Sequence, residues 1–252
     1  MSLVLVTGAT GAVGRGVLPW LQQAFSLRLL SLDPPQGDAR RIQADLLDWH
    51  VLSAALSGVD SVLHLAVAQG HSGAYEEDAF NDQRFDVNVK GTFHVFEAAR
   101  RAKVRRVVHV SSLMVVWGHG QAGQVPGDAP PRPIGTYALT KALSEQIARH
   151  YAERHKMEVI TLRIAAPLDI EDPQQLRHPV RPQQVPLPDL AQAFVRALTV
   201  PLTRYEIVTI VGESSRCIWD LGPARRVLGY KPRYRLDDLG VCWAEPFAVE
   251  KT

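Results

Sequence analysis

The stretch MSLVLVTGATGAVG at Met1–Gly14 constrains the fold more than any other part of the chain. Leu3–Thr7 is short, apolar and β-branched, the composition of a strand covered on both faces. Gly8, Gly11 and Gly14 follow at three-residue spacing and lead into a helical periodicity through Val13, Val17, Leu18 and Leu21. A strand that turns directly into a helix needs residues without Cβ where the backbone doubles back. The start of that helix, around Thr10, Gly11, Ala12 and Val13, then offers unpaired N–H groups to a phosphate. Pro19 lies inside the periodic run and predicts a kink or an end to the helix there.

The rest of the chain repeats this alternation. Leu27–Leu32, Ile42–Ala44, Ser61–Ala66, Arg106–Ser111 and Glu158–Ile164 read as strands. Asp48 is placed to cap a helix that ends near Ser57-Gly58. Long helical patterns cover Phe80–Arg101 and Thr136–His155. Strands alternating with helices imply a parallel sheet with right-handed crossovers. With the glycine turn after the first strand, the expected fold is α/β, a doubly wound parallel sheet of the Rossmann type. After Pro167 the composition changes. Asp172–Pro188, rich in Pro, Gln and Arg, predicts irregular structure, followed by a helix at Asp189–Leu198, a strand at Tyr205–Val211 and a helix at Asp220–Leu228. This last third is too short for a separate enzyme domain. Residues 1–252 are therefore expected to form one domain, with 167–252 supplying most of a small C-terminal cap over the substrate.

Asp33 ends the second strand about 20 residues past the glycines, where a carboxylate can accept hydrogen bonds from an adenosine ribose. The same charge repels a 2′-phosphate, and no Arg or Lys follows it immediately, so NAD is favoured over NADP. Arg40 and Arg41, the nearest cations, read as solvated loop charges. The chain's 28 basic and 26 acidic side chains give a net charge of only +2. No basic cluster is interleaved with aromatics, which argues against nucleic-acid binding. Two cysteines, Cys217 and Cys242, are too few for a disulfide framework and fit a reducing compartment. The apolar N-terminus breaks at glycines too soon for a signal peptide, and no apolar run approaches the roughly 20 residues that span a bilayer. A cytoplasmic protein with no membrane partner and no bound metal is expected.

Tyr137 and Lys141 open a predicted helix one turn apart and share a face. A phenol is a poor base at neutral pH, and a neighbouring ammonium would stabilise the phenolate. The pairing alone is unremarkable; its position after the fifth strand, at the carboxyl edge of a nucleotide-binding sheet, gives it weight. Ser111 and Ser112 end that strand. A hydroxyl there can donate to the oxygen that Tyr137 protonates or deprotonates, and either serine could instead cap the strand end. His119 is the nearest alternative acid/base in sequence.

These residues together resemble the extended short-chain dehydrogenase/reductases, also called NAD-dependent epimerase/dehydratases. The ordered matches are TGATGAVG, Asp45-Leu46, HLA at His64–Ala66, DVNVKGTFHVFEAA at Asp86–Ala99, VVHVSS at Val107–Ser112, YALTK, LRIAAP at Leu162–Pro167, and RRVLGYKP at Arg225–Pro232. The resemblance spans nearly the whole chain. It implies that Tyr137 is the acid/base, that Lys141 binds the nicotinamide ribose and lowers the phenol pKa, and that Ser112 polarises the reacting oxygen. It further places Asp45 and Leu46 at the adenine, Leu65 and Ala66 at the adenosine and phosphates, and Asn88 and Ile164 near the cofactor. A homodimer through the two long helices is also implied.

Departures from the pattern narrow the substrate. The segment after the fifth strand, SSLMVVWG, carries one extra residue and has Trp117 where many members have tyrosine. Ala165-Ala166 stands where many sugar-nucleotide enzymes have asparagine. The short chain and its ending resemble the uronate dehydrogenase branch, whose members oxidise the anomeric carbon of a free uronic acid to a lactone. Leu113-Met114 replaces that branch's Asn-His, and its serine after the sixth strand is absent. Arg177 or Arg181 could clamp a carboxylate bidentately. Three functions follow: a dehydrogenase acting on a small sugar or sugar acid, an epimerase, dehydratase or reductase of the same fold, or an NAD-binding regulator without turnover.

Overall fold

A computed structural model describes residues 1–33, 36–69, 75–120, 123–203 and 205–244. In chain order the elements are β1 (Leu3–Thr7), α1 (Ala12–Ala24), β2 (Ser26–Ser31), β3 (Arg41–Gln43), α2 (Trp49–Ala55), β4 (Ser61–His64), α3 (Asp78–Arg84), α4 (Thr92–Arg101) and β5 (Arg106–Ser112). They continue with α5 (Gly135–His155), β6 (Glu158–Ile164), β7 (Pro167–Leu168), α6 (Pro173–Arg177), β8 (Val185–Pro186), α7 (Leu187–Thr199), β9 (Tyr205–Ile210) and α8 (Gly222–Leu228). Seven strands form one parallel sheet in the order β3-β2-β1-β4-β5-β6-β9. This is the doubly wound Rossmann arrangement. No helix among the described residues is long and apolar enough to cross a membrane.

The strands read as continuous apolar runs because both faces are covered. In β1, Val4 and Val6 join the core beneath α1 and α7, whereas Leu5 joins the core beneath α2, α4 and α5. Val108 and Val110 against Val107 in β5, and Ile160 and Leu162 against Val159 in β6, repeat that alternation. Leu190 and Phe194 of α7 are fully buried on the first side, each worth about 1.5–3 kcal/mol of transfer free energy.

Three elements differ from the sequence expectation. Helix α1 runs unbroken through Pro19. Pro19 is exposed, so its ring disturbs no packing. The predicted helix over Phe80–Arg101 contains a π-helical stretch, Phe85–Gly91, between α3 and α4. The segment expected to be irregular, Asp172–Pro188, contains α6, β8 and the first two residues of α7; Asp172 caps α6 by accepting from Gln174 N at 2.9 Å, with Pro173 in its first turn.

The strand order reverses direction between β1 and β4, the switch point where such sheets bind ligands. Thr7 and His64 sit opposite one another at that edge. The glycine turn after β1 and the Leu65–Gln69 segment after β4 therefore adjoin. β9 extends the sheet beyond β6, and the short β7–β8 pair stands beside the same carboxyl edge.

Candidate active site

Gly8 has φ +67°, and a Cβ there would lie 2.7 Å from Ala66 Cα and N. A Cβ on Gly14 would lie 2.5 Å from Ala9 O. The turn thus closes only around glycine, pressing the backbone after β4 against the start of α1. Gly11, the N-cap of α1, has no side chain to cap the first turn. Thr10, Ala12 and Val13 complete this bare helix N-terminus, which suits a pyrophosphate. The fit to a dinucleotide rests on this backbone-only surface.

At the other end, Asp33 is exposed just beyond β2. The nearby Arg40 forks onto Asp38 at 3.0 and 2.8 Å, and Arg41 also faces Asp38 at 3.6 Å. Both cations are thereby drawn to another carboxylate. Asp45 accepts from Leu47 N at 2.9 Å, shaping the turn after β3, and buried Leu46 packs against Gly91.

A cavity of about 320 Å³ opens at the carboxyl edge. Val13, Leu65, Ser112, Tyr137, Lys141 and Ile164 line it, bringing six sequence-predicted residues together. Ile164 pairs in register with Ser112. Lys141 is almost fully buried and donates from Nζ to Val110 O at 2.6 Å. Burial pulls its ammonium down to about 8, opposed by the negative charge of Glu145. Burial pushes the Tyr137 phenol above the ordinary tyrosine value; a hydrogen bond from Ser112 acts in the opposite sense. The expected lowering of the phenol pKa is therefore not what this arrangement produces, because desolvation outweighs the donors around it.

Both serines reach the cavity wall, but their hydroxyls have different partners. Ser111 Oγ donates to Glu145 Oε1 at 2.7 Å, within a buried cluster in which Arg163 forks onto Glu145 at 2.8 and 2.7 Å. Ser112 Oγ accepts from Met114 N at 3.2 Å and meets Tyr137. His119 is held 2.9 Å from Pro130 O, in the stretch Leu113–His119 that follows β5 as a 3-10 helix.

Asn88 is 1% exposed, not a surface amide. Its Oδ1 accepts from Ala68 N at 2.9 Å and its Nδ2 donates to Thr140 Oγ1 at 3.0 Å. It ties the segment after β4 to the residue preceding Lys141. The π-helical stretch carries Asn88, in keeping with the habit of such bulges to mark functional positions.

Several lining residues were not identified from sequence. Gln69 and Val67 lie on the loop after β4, where no periodicity marks them, and Met114, in the 3-10 helix after β5, stands out in sequence only as a departure from the uronate dehydrogenase pattern. Trp117 stands out only as a departure from the family pattern; its ring stacks on Trp219 at 5.6 Å and 24°. Arg181 lines the cavity, whereas Arg177 sits on α6, away from the lining residues. The stretches 34–35 and 70–74, beside Asp33 and Gln69, lie outside the described residues.

The family model described as NAD dependent epimerase/dehydratase matches residues 4–168. A uronate dehydrogenase from Pseudomonas syringae pv. tomato is 30% identical over 235 residues, covering 91% of this chain and 81% of that protein. An L-arabinose 1-dehydrogenase (NAD(P)(+)) from Haloferax volcanii is 27% identical, covering 92% and 97%. Among solved structures, uronate dehydrogenase from Agrobacterium tumefaciens superposes with a TM-score of 0.77 at 24% identity, covering 94% of this chain and 86% of that one. A short-chain dehydrogenase/reductase superfamily protein from the same organism, with bound NAD, gives 0.77 at 24% and covers 94% of each chain.

Proposed function

The chain belongs to the NAD-dependent epimerase/dehydratase family, and from that premise we propose that it is an NAD-dependent dehydrogenase of a small sugar acid, with Tyr137 as acid/base. The observation that carries this reading is the cavity itself: Ser112 and Tyr137 meet on one wall, Lys141 lies beneath, and Arg181 belongs to the same lining. Arg181 offers the planar fork that a carboxylate takes bidentately. Met114 and Trp117 supply an apolar wall suited to the C–H face of a sugar ring. A cavity of about 320 Å³ is of a size to take a free monosaccharide.

In this reading Gly8, Thr10, Gly11, Ala12, Val13 and Gly14 hold the pyrophosphate, Asp33 the adenosine ribose, Asp45 and Leu46 the adenine edge, and Leu65, Ala66 and Ile164 the path to the nicotinamide. Bound NAD supplies a hydride acceptor. Tyr137, as phenolate, removes the proton of the substrate hydroxyl while Ser112 donates to the same oxygen. Lys141 holds the nicotinamide ribose and its positive charge favours the phenolate. Asn88 keeps the β4 loop and α5 in place around them.

Residues 1–252 act as one unit in this proposal, with Pro167, Arg181, Gln183 and Gln184 of the last third forming the substrate wall. The protein works in the cytoplasm, consistent with two free cysteines. It dimerises through α4 and α5. Leu139 and Leu143 of α5, Phe93 of α4 and Phe85 of the π-helical stretch before it are 37–46% exposed apolar side chains.

Net NADH formation from galacturonate or glucuronate, over a panel that includes aldoses and nucleotide sugars, tests the function. Turnover without net NADH would assign an epimerase or dehydratase instead. NAD binding with no turnover on any member would favour a regulator.

A further inference from the structure

Arg84 of α3 is one of the most deeply buried side chains, at 1% exposure, yet its charge is poorly met. Nη1 donates to Asn81 Oδ1 at 2.7 Å and lies 3.7 Å from the half-exposed carboxylate of Glu76. Nε and Nη2 have no hydrogen-bond partner among the described residues. The rings of Tyr75 and Phe80 cover the guanidinium at 4.1 and 4.2 Å. A buried cation with two unanswered N–H groups is costly, so its retention asks for a reason outside packing.

Glu76 connects this cation to α5. Its two carboxylate oxygens accept from Thr136 N at 3.3 and 3.4 Å. Ile134, the N-cap of α5, provides no side-chain cap. Glu76 therefore caps α5 from another part of the chain, at the residue that precedes Tyr137, and a carboxylate is favoured at that helix end. Gly135, at φ +79°, leaves the room: a Cβ there would lie 2.9 Å from Glu76 Oε1.

We propose that Arg84 is a positioning residue for Tyr137: with Glu76 as its bridge, its guanidinium anchors the first turn of α5 and brings a positive charge to the side of the phenol. The proposal rests on the reading of Tyr137 as acid/base. Burial apart, the groups acting on the phenol are Ser112 from the end of β5, Tyr75 from the loop before α3 and Arg84 from α3. Arg84 favours the phenolate, and the proximity of Tyr75 opposes it. Lys141, one turn along α5, has its ammonium on Val110 O, which leaves Arg84 as the cation that acts on the phenol.

Ultraviolet difference titration of the NAD-bound protein, parent minus Tyr137→Phe, isolates the ionisation of this one phenol. Arg84→Met is expected to move its midpoint upward by at least about half a pH unit. Arg84→Lys should restore most of that shift. Glu76→Gln, at a half-exposed position that tolerates change, removes the countercharge and should move the midpoint downward. Opposite shifts from two variants are not produced by simple loosening of the fold. The acid limb of the pH profile of kcat/KM should follow the same order. Midpoints within about 0.2 pH unit of the parent in both variants, or shifts of the same sign, would overturn the proposal. Should Arg84→Met not fold, Glu76→Gln decides by itself: an unmoved or raised midpoint overturns it. Retained turnover in Tyr137→Phe would instead overturn the acid/base reading, leaving the titration shifts interpretable on their own.

Discussion

Ser111 Oγ donates to Glu145 Oε1 at 2.7 Å, committing that hydroxyl to the buried Glu145–Arg163 pair. Its neighbour Ser112 is left to meet Tyr137 at the cavity. Adjacent serines that are indistinguishable in sequence are thus given separate tasks by what packs behind them.

Substitution separates the two. Ser112→Ala is expected to lower kcat by roughly 10²–10³-fold, the range for losing one donor to a reacting oxygen, with little change in unfolding free energy. Ser111→Ala should keep kcat within a few-fold and cost about 1–3 kcal/mol, because it leaves a buried carboxylate one donor short. Steady-state kinetics and urea unfolding of both variants check this pair of outcomes.

The ion pair behind them is almost fully buried, at 2% and 1% exposure. Arg163→Met would strand the Glu145 carboxylate and is expected to destabilise the protein by about 3–5 kcal/mol. Urea denaturation with an unchanged m-value would register that loss as stability alone.

Lys141 gives a pH dependence of definite sign. Its folded value, about 8, lies below the 10.5 of the free side chain, so the unfolded chain binds more protons between those two pH values. The parent should therefore gain stability relative to Lys141→Met as pH rises from about 8 to 10. Unfolding free energies of the two proteins at the ends of that window measure it; a constant difference would contradict the burial of a titrating ammonium.

Much of this arrangement was legible in the chain. The strands are runs such as Leu3–Thr7 and Glu158–Ile164, long enough and apolar enough to leave no other reading, and the glycines, Asp33, Tyr137 and Lys141 stand at fixed offsets from them. What sequence did not reveal depends on three-dimensional context. Pro19 is harmless because it faces solvent, which its identity does not tell. The π-helical turn around Asn88 has no periodicity of its own. The roles of Ser111 and Ser112 follow from Glu145 and Arg163, remote residues that carry no motif. Arg84 looks like one more surface charge until its burial is seen.

In the proposed reading Asp33 sets the cofactor choice, while Asp38 engages Arg40 and Arg41. NAD should bind at least about tenfold more tightly than NADP, an unmet carboxylate–phosphate contact costing on the order of 1–3 kcal/mol. Titration calorimetry with both cofactors gives the ratio directly, and equal affinities would remove Asp33 from the site.

For the quaternary arrangement, Leu143→Glu on the exposed face of α5 is expected to convert a dimer to a monomer in light scattering at micromolar concentration. A parent protein that is already monomeric there would dismiss the helical interface.

The central claim is that Tyr137 moves the proton, and Tyr137→Phe tests it most directly because the ring and its packing stay. With a substrate identified, uronic acids being the first to try, and chemistry shown to be rate-limiting, kcat should fall roughly 10²–10⁴-fold while NAD affinity barely changes. A Phe variant that retains more than about half of the parent kcat would contradict the account.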